Sequence, residues 1–344
     1  MSKYFLKRKR DSELSSQLLS LDRNEYFFSH HPQVKNVFCS FTEGDLSKYA
    51  SYQDQQNLRQ LLCEKLQVDN KYQITMGHGA EDILVKSLSW LKNSYHSLIL
   101  EDFSWTNYLH IAEGLNYQIH KFQSNYSNDR YYLNDEILKN QLKKFPKSLV
   151  LLTSPNNPTG HSVDFVKLIP LIEEFSEHIF LLDMVYAPLF SNSFSDLYQY
   201  KNVIIIGSFS KFFGMPGLRM GFAIGHLPSA FHLNLGMQKN SIMACKYALE
   251  NISWYQKNRD EMLSYAYQVS QIKRKNIHIF QSEAPFFLAK LLNLNNLDAI
   301  FRLTEEHSGV KPKYISKQDI PYIRFGLGPS SICSKIDTYL SFFD

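Results

Sequence analysis

Six short apolar runs recur along the middle of this chain, with segments of helical period set between them. The runs are YQITM (72–76), SLILE (97–101), SLVLLTS (148–154), IFLLDM (179–184), VIIIGSF (203–209) and RMGFAIG (219–225). Several are continuous rather than alternating, the pattern of strands buried on both faces. Segments 80–91, 133–144 and 163–175 carry apolar residues at helical spacing. Such alternation predicts an α/β domain with a mostly parallel sheet. From about residue 230 the pattern changes to a long helical tract, ENISWYQKNRDEMLSYAYQVSQIK, followed by APFFLAKL (284–291) and YIRFGLG (322–328). These predict a second, smaller α+β domain, which the first forty-odd residues join. The expected division is 46–229 for the large domain, and 1–45 with 230–344 for the small one.

Composition excludes several functions. A chain of 344 residues with 44% hydrophobic content can bury a sizeable core. Its net charge of +4 is small, and no basic stripe is interleaved with aromatics, which argues against a nucleic-acid partner. The basic cluster Lys7, Arg8, Lys9, Arg10 is followed by Asp11, Ser12 and Glu13. Without an apolar segment after it, the cluster reads as a solvated N-terminal extension rather than a signal peptide. No apolar run reaches the length of a membrane span. Cys39, Cys63, Cys245 and Cys333 are scattered and form no CxxC pair or metal-ligand spacing. His30 and His31 are adjacent, but surface or core histidine is the better reading of them. A reduced, cytoplasmic setting without a metal is the expectation.

The chemistry concentrates in SFSKFFGMPGLRMGF, Ser208 to Phe222, directly after VIIIG. A lysine after a buried strand can be an ordinary loop residue. Ser208-Phe209-Ser210-Lys211 also matches S-x-x-K, the acyl-transfer pattern. That pattern needs a downstream S-x-N or Y-x-N, and none follows Lys211. The other option is a lysine that condenses with an aldehyde cofactor. It requires a phosphate anchor, an acid facing a pyridine nitrogen and donors to a phenolic oxygen. In open α/β sheets such groups gather at the carboxyl ends of the strands. Those ends carry Gly77-His78-Gly79-Ala80-Glu81-Asp82, Asp102-Phe103-Ser104-Trp105, Pro155-Asn156-Asn157-Pro158-Thr159-Gly160 and Asp183-Met184-Val185-Tyr186.

In these motifs and their order, the chain resembles fold-type I pyridoxal-phosphate enzymes of the class I/II aminotransferase family. Histidinol-phosphate aminotransferases and threonine-phosphate decarboxylases look like its nearest branch. The resemblance spans roughly residues 45 to 330. It implies a large domain with a mostly parallel seven-stranded sheet flanked by helices, plus a smaller α+β domain. It implies pyridoxal 5′-phosphate as cofactor, with Lys211 as the Schiff-base lysine and proton shuttle. Asp183 would pair with the pyridinium nitrogen. Asn157 and Tyr186 would donate to the phenolic oxygen. Arg219, Ser208 and Ser210 match the phosphate ligands. Gly79, Ala80 and Glu81 match the turn whose backbone amides meet that phosphate, Glu81 through its amide and not its carboxylate. Trp105 falls where the family stacks an aromatic ring on the pyridine, with Phe103 in place of the usual proline. Tyr49, or its rival Tyr52, would reach the phosphate of a neighbouring subunit, which implies a homodimer with shared active sites. Arg324 matches the clamp for a substrate carboxylate. Gly217 and Gly221 would allow a tight chain path after the lysine.

Two departures bear on substrate. The branch carries an N-E-N-P-like stretch near its N-terminus, and FFSHHPQVKNVF retains only Pro32 of it. Where the branch places a phosphate-binding arginine after a G-[IV] pair, Gly309-Val310-Lys311-Pro312-Lys313 offers Lys313. Both suggest a specialised substrate. The expected activity is amino transfer between an amino acid and a 2-oxo acid by a ping-pong mechanism. The alternative is a decarboxylase or lyase on the same fold. A non-catalytic regulator fits less well, since only about 45 residues precede the α/β region and Lys211, Asp183 and Arg324 are all present.

Overall fold

The structure is a computed structural model that describes residues 18–68, 74–127, 129–190, 192–225, 227, 236–292 and 297–344. The basic cluster at Lys7–Arg10 lies outside them. The large sheet has seven strands: β1 (Ile74–Gly77), β2 (Ser97–Glu101), β3 (Gln118–Phe122), β4 (Leu149–Thr153), β5 (Ile179–Asp183), β6 (Val203–Ser208) and β7 (Gly221–Gly225). Their order is β1-β7-β6-β5-β4-β2-β3. All neighbours are parallel except β7, which runs antiparallel to both β1 and β6.

The seventh strand, β3, has no counterpart among the six apolar runs. It is QIHKF at the sheet edge, exposed or half-buried except at Phe122. An edge strand has no need of a continuous apolar sequence, so the sequence carries little signal for it.

Side chains of the central strands alternate between two cores, as a period of two requires. Val150, Leu152, Phe180, Leu182, Val203 and Ile205 join one. Leu149, Leu151, Leu181, Ile204 and Ile206 join the other. The helices on the first face include α1 (Pro32–Cys39), α2 (Tyr52–Leu66) and α6 (Phe165–Glu174), which place Val34, Leu58, Leu62 and Leu168 in that core. Helix α3 (Gly79–Leu91) covers the second face through Ile83, Leu84 and Leu88. Burial on both faces leaves the strand ends for polar chemistry.

The smaller sheet is antiparallel, in the order β8 (Ile277–Ile279), β9 (Phe286–Leu291), β11 (Ile320–Gly326), β10 (Lys313–Lys317). It packs with a third core that includes Leu21, Phe287, Ile323 and Phe325. Some residues outside 46–229 share the core of the large sheet. Val34 on α1, and Ala244, Cys245 and Ala248 on α7 (Lys239–Glu250), sit in the core of the large sheet. Leu19 and Ser20 pair with Val310 and Lys311, so the N-terminal segment begins in the small domain and crosses to the large one. Its residues 22–31 bridge the two.

Among the described glycines, Gly221 marks the tightest approach to another stretch of backbone. A Cβ there would lie 2.5 Å from the carbonyl carbon of Gly79 and 2.7 Å from the amide of Ala80. Both are backbone atoms that cannot step aside. Gly221→Ala is expected to cost about 1–3 kcal/mol of stability, read by denaturant unfolding. Wild-type stability in that variant would show that the β7–α3 contact is not tight.

Candidate active site

The one reversed strand brings two distant segments together. Because β7 is antiparallel, its first residue lies at the carboxyl ends of its neighbours: Gly221 stands opposite Ser208 on β6 and Gly77 on β1. The loop from Lys211 to Arg219 therefore stays at that end. Arg219 takes a left-handed φ of 50° and donates from Nη1 to the carbonyl of Pro216 at 3.1 Å. A Cβ on Gly79, whose own φ is +83°, would come within 2.7 Å of Arg219 Nη2. The guanidinium thus lies against the first residue of α3. The backbone amide of His78 donates to Asp82 Oδ2 at 2.9 Å, which leaves the amides of Gly79, Ala80 and Glu81 facing out of the helix start. Ser208 and Ser210 are buried beside them, Ser208 Oγ accepting from the Ser210 amide at 2.9 Å. One arginine, two hydroxyls and a helix N-terminus converge. This is a donor set for a phosphate.

Two strands along, Asp183 ends β5. It is buried, and its carboxylate accepts from the Tyr108 hydroxyl at 2.8 Å and from the Val185 amide at 3.2 Å. Tyr108 lies on α4 (Asn107–Gly114) and accepts in turn from Thr153 Oγ1 at 2.9 Å. Desolvation by burial raises the Asp183 carboxyl to about 6, although both donors pull it down. Two neutral donors do not offset that desolvation, so a cationic N–H against the carboxylate would fit.

Lys211 follows β6. Its Nζ donates to the carbonyls of Arg23 at 2.7 Å and Asn24 at 3.2 Å, and lies 5.8 Å from the centre of the Tyr186 ring. Burial lowers its pKa to about 8, aided by the charges of Arg324 and Arg219 and opposed by Glu25. The Tyr186 hydroxyl accepts from Asn24 Nδ2 at 3.0 Å, and burial raises its pKa. Arg324, on β11, is buried over the ring of Phe286. Its Nη1 donates to Asn157 Oδ1 and its Nη2 to the carbonyl of Asp22, each at 2.5 Å. Arg324 Nε has no hydrogen-bond partner among the described residues. A lysine amine brought near neutrality, a desolvated carboxylate and an anion cradle are the groups that pyridoxal phosphate requires, and these residues fit it.

The remaining candidates lie further out. The Glu81 side chain is exposed. Trp105 is half-buried and meets Tyr108 edge-on, with ring centres 5.2 Å apart. Lys313 is exposed on β10, directly opposite Arg324 in register. Tyr49 and Tyr52 are 87% and 76% exposed, and the fold brings neither to this site within one chain.

Sequence reasoning missed Tyr108, Thr153 and Asn24. Tyr108 carries no signal beyond its helical spacing. Asn24 does: the stretch that reaches the site is Asp22-Arg23-Asn24-Glu25-Tyr26, whose Asn-Glu pair lies one residue before FFSHHPQVKNVF. Besides the Asn24 side chain, the segment contacts the site through the backbone carbonyls of Asp22, Arg23 and Asn24, which no motif encodes.

The family model for aminotransferase class I and II matches residues 16–310. The chain belongs to this family. A histidinol-phosphate aminotransferase of Clostridium beijerinckii is 24% identical over 358 residues, covering 95% of this chain and 94% of the relative. The histidinol-phosphate aminotransferase of Sinorhizobium meliloti, solved with pyridoxal 5′-phosphate, superposes with a TM-score of 0.76 at 19% identity, covering 98% of this chain and 94% of that one. The L-threonine-O-3-phosphate decarboxylase of Porphyromonas gingivalis superposes with a TM-score of 0.71 at 17% identity, covering 94% and 100%. These two likenesses show the fold. They bear out the expected fold-type I architecture with a seven-stranded, mostly parallel sheet.

The raised Asp183 pKa has a measurable sign. Its folded value, about 6, lies above the ordinary 3.8, so the cofactor-free fold binds the proton more tightly than the unfolded chain. Its contribution to stability is therefore present at low pH and lost as pH rises from about 4 to about 6. Calorimetry of cofactor-free protein should show this loss, and Asp183→Asn should remove it. An identical pH dependence in wild type and variant would contradict the burial of a titrating carboxyl here.

Proposed function

We propose that this pyridoxal-phosphate-dependent aminotransferase moves an amino group between an amino acid and a 2-oxo acid by a ping-pong mechanism, at a site centred on Lys211. The observation that carries this reading is the convergence at the strand ends of Lys211 just after β6, the buried Asp183 carboxylate ending the adjacent β5, and the donor set of Arg219, Ser208, Ser210 and the α3 start. When bound, pyridoxal phosphate supplies an aldehyde that captures amines and a ring that accepts electron density.

Each side chain has a definable task around that group. Lys211 Nζ holds the cofactor at rest. When free, that amine would carry the proton from the substrate α-carbon to the cofactor carbon that bears the transferred nitrogen, a transfer that suits a flexible amine near its pKa. Asp183 keeps a proton on the ring nitrogen, and Tyr108 holds its carboxylate in place. Asn157 and Tyr186 donate to the phenolic oxygen. Arg219, Ser208, Ser210 and the amides of Gly79, Ala80 and Glu81 bind the phosphate. Arg324 orients the substrate carboxylate, with Asn157 fixing its fork. Trp105 covers the ring, and Lys313 would meet an anionic substrate group.

A homodimer is part of this proposal. Leu46, Tyr49 and Tyr52 are 75%, 87% and 76% exposed within a seven-residue stretch, which supports their covering by a second copy. A reducing, cytoplasmic setting is supported by four free cysteines, of which Cys63, Cys245 and Cys333 are buried. No helix among the described residues is long and apolar enough to cross a membrane.

The deciding measurement is an absorbance spectrum of the cofactor-loaded protein, followed by single amine donors that include histidinol phosphate. Conversion of the visible band by one donor, reversed by a 2-oxo acid, supports transfer. Release of carbon dioxide supports the decarboxylase alternative and overturns it. Lys211→Ala should lack the visible band, and a retained band would refute the lysine assignment. In the wild type, cofactor uptake should accelerate as pH rises through about 8, where Lys211 loses its proton. Arg324→Ala should raise KM for carboxylate substrates roughly 10- to 100-fold, with kcat less affected. An unchanged KM would remove Arg324 from the clamp.

A further inference from the structure

Behind Asn157 lies a chain of buried polar groups that has no direct contact with the site. Asn156 Nδ2 donates to Thr159 Oγ1 at 2.7 Å and to the carbonyl of Phe103 at 2.9 Å. Thr159 Oγ1 lies 2.8 Å from His161 Nδ1. His161 Nε2 lies 3.2 Å from Glu101 Oε1, which also accepts from Ser124 Oγ at 2.6 Å. Asn156, Thr159, His161 and Glu101 are each at most 1% exposed. Two backbone bonds close the same turn: the Asn156 amide to the His161 carbonyl, and the Gly160 amide to the Asn156 carbonyl, both at 2.7 Å.

The Thr159 hydroxyl accepts from Asn156 Nδ2 and shares a second hydrogen bond with His161 Nδ1, which links the turn to the histidine ring. His161 Nε2 stands 3.2 Å from Glu101 Oε1 without making a hydrogen bond, so close packing against the carboxylate is what fixes the ring plane. Glu101 Oε2 has no hydrogen-bond partner among the described residues. A buried carboxylate with one oxygen unmatched weighs against stability, and apolar replacement of such pairs is often neutral or stabilising. Stability therefore does not account for the pair.

Position does. The turn held by this chain carries Asn157, whose Oδ1 receives Arg324 Nη1. We propose that Glu101 and His161 are positioning residues for the reaction. Acting through Thr159 and Asn156, they aim the Asn157 amide between the cofactor's phenolic oxygen and the Arg324 fork. This rests on the reading of the site given above.

Three variants test it: Glu101→Gln, His161→Leu and His161→Asn, the last restoring an acceptor near the Nδ1 position. In cofactor-free protein, hydrogen exchange at the amides of Asn156 and Gly160 should quicken in Glu101→Gln and His161→Leu, with the melting temperature unchanged or raised. With cofactor bound, the pH midpoint of the visible band should rise by about one unit in both, because a donor to the phenolic oxygen is displaced. KM for the carboxylate substrate should rise about tenfold, and His161→Asn should recover part of each change. A midpoint and KM at wild-type values in natively folded His161→Leu would overturn the proposal. So would loss of folding in that variant combined with wild-type behaviour in Glu101→Gln, since the pair would then serve the fold alone. If the wild type shows no cofactor band at all, the failure is that of the site assignment and not of this one.

Discussion

A parallel sheet buried on both faces confines polar chemistry to its ends, and everything at this site follows from that confinement. The central strands send alternate side chains into two apolar cores, so no polar group can sit mid-strand without losing its water. Asp183 and Ser208 are the last residues of β5 and β6, and Thr153 is the last of β4. Each lies where the backbone ladder stops and a ligand can begin. The desolvation that raises the Asp183 carboxyl and lowers the Lys211 amine is the same burial that stabilises the sheet.

One reversed strand and one crossing segment complete the site. Without the antiparallel β7, Arg219 would emerge at the opposite end of the sheet from Ser208. With it, the guanidinium packs on Gly79 at the start of α3. The segment from Leu19 to Cys39 is anchored at one end by pairing with Val310 and Lys311, and at the other by α1 against α7. Between those anchors, the carbonyls of Asp22, Arg23 and Asn24 meet Arg324 and Lys211. The small domain is thereby tied to the cleft through main-chain acceptors, which any side-chain sequence can supply.

The buried polar groups divide by the partners they find. Tyr108, Thr153 and Asp183 form a run in which every listener has a speaker: the threonine donates to the phenol, and the phenol donates to the carboxylate. Glu101 and His161 lie behind the Asn156–Thr159 turn, out of reach of substrate, and one carboxylate oxygen remains unmatched. Such incompletely satisfied burial is uncommon in a native interior and calls for a reason beyond stability. Holding a neighbouring loop at a fixed angle is such a reason.

Fold class and the principal candidate residues were legible along the chain, because they obey local rules. Doubly buried strands read as continuous apolar runs, and SFSK, SPNNPTG and Asp183-x-x-Tyr186 are contiguous motifs at strand ends. Three things were not legible. The edge strand β3 lacks an apolar run because solvent covers part of it. Tyr108 sits 75 residues from Asp183 in sequence, and nothing local marks a phenol that will meet a carboxylate across the sheet. The contribution of Asn24 depends on a crossing that places residue 24 beside residues 186 and 211. By itself, then, the sequence determined which groups stand at the strand ends, since periodicity and motif are short-range properties. Only the tertiary structure decided what those groups feel, because desolvation, hydrogen-bond direction and pKa depend on neighbours that the chain brings in from far away.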